Sequence, residues 1–180
     1  MQEETPAPAK APERNGELAP FLVMVLAAVV LVASFFLPYA SMTEEGRELA
    51  SAAGSVYLEE LGMSYGDMVD LSLMEYAKTY ATMGGLYLVY VVLYIAAVAL
   101  SAVTLLLAAL KKPIGAIVFA ALTFAASLLI RWDFSDRNVI PGSAYDWGIA
   151  SWLYLVAAVV VIAAAIWMLV IRKRVKAECS

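Results

Sequence analysis

The chain has no histidine, a single cysteine (Cys179) and only 16% charged residues over a length of 180. Without imidazole there is no bis-histidine haem site, no histidine ligand for zinc or copper and no histidine general base. One cysteine makes neither an intrachain disulfide nor a Cys-x-x-Cys redox pair, which removes the thiol oxidoreductases. Exported loops of eukaryotic surface proteins are commonly stapled by disulfides, so a cysteine-free loop leans toward a bacterial cytoplasmic membrane. We therefore expect no metal, no cofactor and no enzyme activity.

Apolar residues take the place of charge. The chain is 63% hydrophobic with a mean hydropathy of +0.81, where a soluble domain is about half apolar and about a quarter charged. The excess is gathered into four blocks, 18–39, 83–110, 113–131 and 147–171, that carry no charge apart from Arg131 at the very end of the third. Crossing a hydrocarbon core takes about 20 helical residues, so each block reads as a transmembrane helix. The second is long and must tilt or begin outside the membrane, and the third is near the short limit. The first block lacks a positive start, runs too long and ends in Leu37-Pro38-Tyr39-Ala40, so it reads as a span and not as a cleaved signal peptide.

The predicted fold is an all-α membrane protein: an antiparallel four-helix transmembrane bundle with a short helical extracytoplasmic cap in the first outer loop. Lys and Arg counts set its sidedness. With both termini inside, Lys10, Arg14, Lys111, Lys112, Arg172, Lys173, Arg174 and Lys176 are cytoplasmic, against Arg47, Lys78, Arg131 and Arg137 outside. This predicts a multi-pass protein of the cell (cytoplasmic) membrane.

Segment 1–17 is rich in Ala, Pro and charge and reads as a disordered cytoplasmic tail. Residues 40–82 form an acidic extracytoplasmic loop, 111–112 a cytoplasmic turn, 132–146 a second outer loop and 172–180 a basic cytoplasmic tail. Within 40–82, Ser41 with Glu44, Ser64 with Asp67 and Ser72 with Glu75 have capping-box spacing, and Leu71 and Tyr76 add a hydrophobic staple to the last. Short helices are expected there, the last running through Gly84-Gly85 or kinking at that pair. Ser143 and Asp146 have the same spacing and are expected to open the fourth span, after a turn at Ile140-Pro141-Gly142-Ser143. Lys111-Lys112-Pro113 is a tight hairpin with proline in the first helical turn.

Two constellations stand out as candidate sites. Tyr87, Tyr90 and Tyr94 share one helical face, as a groove lined with phenols or as an interfacial aromatic belt. The stretch Arg131, Trp132, Asp133, Asp136 and Arg137, with Asp146 beyond the turn, is the densest charged cluster beside the bilayer. It reads as an interaction cluster, with Arg131 paired to Asp133 or Asp146, or as a simple interfacial anchor. Eleven carboxylates face four basic residues on the outer side. That surface suits a divalent cation, a basic partner or plain solvation, and no loop has EF-hand spacing. Small residues such as Ala116, Ala120, Ala157 and Ala164 permit close helix packing and a homodimer.

Four spans, a long first outer loop and a shorter second resemble claudins and tetraspanins in topology alone, because the cysteine motifs of those loops are missing. The stretches Ser34-Phe35-Phe36-Leu37-Pro38-Tyr39 and Tyr145-Asp146-Trp147-Gly148-Ile149-Ala150-Ser151-Trp152 are similar to those of small uncharacterised four-span membrane proteins of Gram-positive bacteria. That resemblance implies a four-span bundle and no particular activity. The expected role is an accessory, scaffold or interaction protein presenting an acidic outer face. Its partners would be the lipid bilayer and another membrane protein or a second copy, with no nucleic acid. The alternative is a subunit of a small transporter or channel. Coupled transporters usually bury a charge in the bundle, and these blocks have none.

Overall fold

Buried small residues at alternating spacings of three and four build the helix bundle. In helix α4 (Leu88–Ala109) the buried positions are Tyr94, Ala97, Ser101, Thr104 and Ala108. In α5 (Pro113–Asp136) they include Pro113, Ala116, Ala120, Thr123, Ser127, Ile130 and Phe134. In α6 (Ile149–Glu178) Ala150, Tyr154, Ala157, Val161, Ala164 and Met168 continue the pattern. A repeat near 3.5 keeps one seam facing the neighbouring helix, and small side chains let the backbones approach. These three helices are long and apolar enough to cross a membrane. The fourth, α1 (Leu18–Ala33), has 16 residues and is shorter. Around the bundle, α1 packs on α4 and α6, and α5 packs on the same two helices.

The computed structural model describes residues 14–53, 56–59 and 63–178. Most of the expected tail (1–13) and Cys179 lie outside the described residues. Within the expected disordered segment, Arg14–Glu17 forms a 3-10 turn leading into α1. The other element bounds also move. Block 18–39 ends its helix at Ala33. Helix α5 runs five residues past 131, so the charged stretch expected in a loop is helical. Helix α6 carries on through the basic tail to Glu178.

The fold is mostly helical but not all-α. Strand β1 (Pro38–Met42) follows α1, and helix α2 (Glu44–Ala53), strands β2 (Tyr57–Leu58) and β3 (Met63–Ser64) and strand β4 (Asp70–Ser72) come next. Helix α3 (Leu73–Met83) leaves β4, and β5 (Tyr145–Trp147) immediately precedes α6. Strands β4, β1 and β5 make a three-stranded antiparallel sheet in that order, with Ala40 opposite both Leu71 and Trp147. Strands β2 and β3 form a separate hairpin. The expectation of helices alone fails because each strand of the sheet is five residues or fewer and its partners come from distant segments. Local periodicity does not register such pairing.

Capping explains much of the cap region. Ser64 and Ser72 each close a reciprocal box: the Ser72 N–H donates to Glu75 Oε2 at 2.7 Å, and the Glu75 N–H donates to Ser72 Oγ at 3.3 Å. Leu71 and Tyr76 are both buried, as the staple requires. The other two expected boxes are corrected. Ser41 lies in β1, and Thr43 accepts instead from the Gly46 N–H at 3.2 Å at the start of α2. Asp146 lies exposed in the middle of β5, so it caps nothing, and α6 starts three residues later. At Gly84 and Gly85, both with positive φ, α3 ends and the chain turns through a 3-10 segment into α4.

Two close approaches fix the sheet to the bundle. Tyr39 is the extra residue of a β-bulge between Pro38 and Ala40, which turns its ring inward until it is buried. Gly148 donates its N–H to the Tyr39 carbonyl at 2.9 Å, and a Cβ there would run into the Pro38 carbonyl. Only glycine fits where β1 crosses the start of α6.

Candidate functional site

Beneath the sheet, aromatic rings from six elements form one connected layer between two arginines. From α3, Tyr76 and Tyr80 lie four residues apart, on one face. Tyr80 packs on Tyr87, Tyr90 and Tyr94 with ring centroids 5.5, 5.7 and 6.0 Å away. Tyr94 stacks on Phe134 of α5 at 5.8 Å with nearly parallel planes, and Phe134 also meets Tyr76 at 4.9 Å and Tyr39 at 5.6 Å. Tyr39 then contacts Trp147 edge-on at 6.0 Å.

Arg137, the C-cap of α5, anchors one end. Its guanidinium forms a two-pronged ion pair with Asp133, one turn earlier, with Nε 3.1 Å from Oδ1 and a second contact from Nη2 to Oδ2. Nη1 donates to the Tyr80 hydroxyl at 3.0 Å, Nη2 reaches the Tyr94 hydroxyl at 3.5 Å, and the plane lies 4.0 Å over the Tyr90 ring. A planar five-donor group can pair with a carboxylate and a ring face together, which a lysine cannot do. Beside it opens a groove of about 570 Å³ lined by Tyr80, Met83, Leu86, Tyr87, Tyr90 and Arg137. Leu86 on its rim is 87% exposed.

Arg131 anchors the other end. It sits 4.2 Å over Trp147 and 4.4 Å over Trp152, an arrangement worth about 0.5–2 kcal/mol per ring depending on desolvation. Its Nη1 and the Tyr154 hydroxyl are buried without a hydrogen-bond partner. Burial raises the Tyr39 hydroxyl pKa, against the opposing pull of Arg131, and burial likewise raises that of Tyr76. Both stay neutral at physiological pH.

The structure thus divides the sequence-predicted cluster. Asp133 and Arg137 come together and join the tyrosine stripe. Arg131 turns to the opposite side of α5 and pairs with neither Asp133 nor Asp146 among the described residues. Trp132, 66% exposed, together with Asp136 and Asp146, points outward. Tyr87, at the end of the 3-10 segment, and Tyr90 and Tyr94 of α4 grade from exposed to fully buried. Sequence reasoning missed Tyr80 and Trp152. The four-residue spacing of Tyr76 and Tyr80 marked a face, but nothing local said which helix it meets. Among the described residues no three carboxylates converge on a point that could hold a metal ion. No family model, no curated protein and no solved structure matches the chain.

The buried hydroxyls of Ser101, Thr104, Thr123, Ser127 and Ser151 each donate to a carbonyl three or four residues back, at 2.7–2.9 Å. Among the described residues none of these hydroxyls is paired with a base.

Proposed function

We propose that this is a four-span protein of the cell membrane, with both termini cytoplasmic, acting as an accessory or scaffold protein through its sheet-bearing outer end. The observation that carries the proposal is where polarity lies. The seam between the long helices is filled largely with Ala, Val and Ser or Thr hydroxyls tied to their own backbone, while the Asp133–Arg137 ion pair, the wider groove and most exposed carboxylates sit at the sheet end. A bundle whose middle carries no charged side chain offers a partner its surfaces.

The reach of α1 supports the fourth span. Its start lies level with the far end of α6, where Glu17 Oε2 is 3.2 Å from Arg172 Nη2, and its end feeds the sheet that precedes α6. Sixteen α-helical residues rise about 24 Å and the 3-10 turn adds about 8 Å, close to the roughly 30 Å of a hydrocarbon core. The Lys/Arg excess at the Glu17–Arg172 end sets the orientation.

A photo-crosslinker at Tyr87, on the groove rim, tests the role in native membranes. One recurrent crosslinked membrane protein supports an accessory role. Ion or solute flux through liposomes containing only this purified chain contradicts it and favours the transporter or channel reading.

A further inference from the structure

The bundle has a second polar site, at the end away from the sheet. There a groove of about 420 Å³ opens between the α4–α5 hairpin and α6. Its apolar lining is Leu107 and Leu169, half-buried, with Ile114 exposed at the edge, and its cations are Lys111, Lys112 and Arg172. Gly115 keeps the lining low: Leu107 Cδ1 lies 3.1 Å from where a Cβ would stand. The rim is held in place. Arg172 Nη1 donates to the Lys111 carbonyl at 3.2 Å, satisfying a backbone acceptor just beyond the end of α4, while Nε and Nη2 hold Glu17. Lys111, in a left-handed turn, carries its ammonium 4.8 Å above the Phe21 ring. Lys112 is exposed and has no partner among the described residues.

We propose that this groove binds one anionic phospholipid of the surrounding leaflet, its phosphate between Lys111 and Lys112 and the start of an acyl chain along Leu107, Ile114 and Leu169. Three cations against the single carboxylate of Glu17 leave a surplus of positive charge to meet the phosphate. A free phosphate would satisfy the lysines and leave the apolar lining bare, and a lipid covers both. Basic clefts between spans at the cytoplasmic side are suited to anionic headgroups. The inference rests on the membrane reading above.

The test uses the full-length protein purified in neutral detergent, titrated with phosphatidylglycerol or with phosphatidylcholine and read by native mass spectrometry. One phosphatidylglycerol is expected to bind ahead of any phosphatidylcholine. Lys112→Gln should weaken it about fivefold and Lys111→Gln with Lys112→Gln about twenty-five-fold, each lysine counting as one cation near an anionic surface. Lys111→Arg with Lys112→Arg should keep the preference, which separates lost charge from a damaged hairpin. Equal binding of the two lipids, or an unchanged double glutamine variant, overturns the proposal. So does glycerol phosphate competing as well as the whole lipid, which would make this a site for soluble anions. Reconstitution into phosphatidylcholine vesicles separates the two failures: a chain that inserts without lipid selection loses the site alone, and one that does not insert loses the membrane reading and the site with it.

Discussion

Arg137 donates to the hydroxyl of Tyr80 at 3.0 Å across 57 residues of sequence, joining the end of α5 to α3. The same guanidinium holds Asp133 and covers Tyr90, so three elements meet on one side chain. Hydrogen bonds to charged groups contribute about 1.5–3 kcal/mol each. Arg137→Met is therefore expected to cost about 2–3 kcal/mol in detergent-solubilised protein, and Arg137→Lys a large part of that because an ammonium cannot span the same partners. Tyr87→Phe, at the exposed rim, should stay within about 0.5 kcal/mol. Denaturant unfolding followed by tryptophan fluorescence checks all three.

Gly148 should tolerate nothing larger. Gly148→Ala forces a methyl into the Pro38 carbonyl and should destabilise by about 1–3 kcal/mol, the usual cost of overpacking. Proteolysis within 38–42 should quicken as β1 parts from β5. Gly84→Ala is different in kind: nothing lies near its Cβ position, so its cost comes from the positive φ alone.

The two boxes that form should each respond to loss of the cap. Ser72→Ala is expected to cost about 1 kcal/mol, and Ser41→Ala much less, because Ser41 accepts no capping bond. Thr43→Ala should cost more than Ser41→Ala, since the Thr43 hydroxyl both accepts from the Gly46 N–H and donates to the Ser143 carbonyl at 3.2 Å. Thermal melts of the three variants decide the order.

Alkali should loosen the cap. Burial pushes the Tyr145 hydroxyl pKa up to about 12, and that hydroxyl donates to the Met68 carbonyl at 2.8 Å. A phenol raised in the folded state favours its neutral form, so its contribution is whole below about pH 10, the unfolded value, and is lost as pH rises toward 12. Stability should fall across that window, with phenolate absorbance appearing late, and Tyr145→Phe should flatten this part of the fall. Acid acts through Asp67, whose pKa is lowered chiefly by its hydrogen bonds from Ser64. Its contribution is present above the ordinary carboxylate pKa and fades as pH falls below it, and Ser64→Ala should weaken that dependence, because it removes the hydroxyl bond and leaves the one from the Ser64 N–H.

The long apolar helices were legible because a 20-residue uncharged run has few alternatives, and the boxes at Ser64 and Ser72 because a cap is a local bargain between residues three apart. The sheet was not. Tyr145 and Trp147 do flank an exposed Asp146 with strand alternation, but three residues are too few to outweigh the capping spacing of Ser143 and Asp146. The charged cluster misled for a related reason. Reading 132–146 as a loop left the pairing of Arg131 open, whereas continuing α5 to Asp136 puts Asp133 and Arg137 one turn apart and sends Arg131 to the tryptophans. Tyr87, Tyr90 and Tyr94 were visible as a stripe; that Tyr80 would close over them depends on the break at Gly84-Gly85, which folds α3 back against α4.

Whether α1 crosses the membrane is the central claim, and labelling with a membrane-impermeant maleimide tests it directly. Three single-cysteine proteins suffice: the natural chain with Cys179, and Gly16→Cys and Ser143→Cys, each with Cys179→Ser. Intact cells should label only Ser143→Cys, with Gly16→Cys and Cys179 reacting once the membrane is opened. Labelling of Gly16→Cys from outside while Cys179 stays protected would leave three spans and contradict the account.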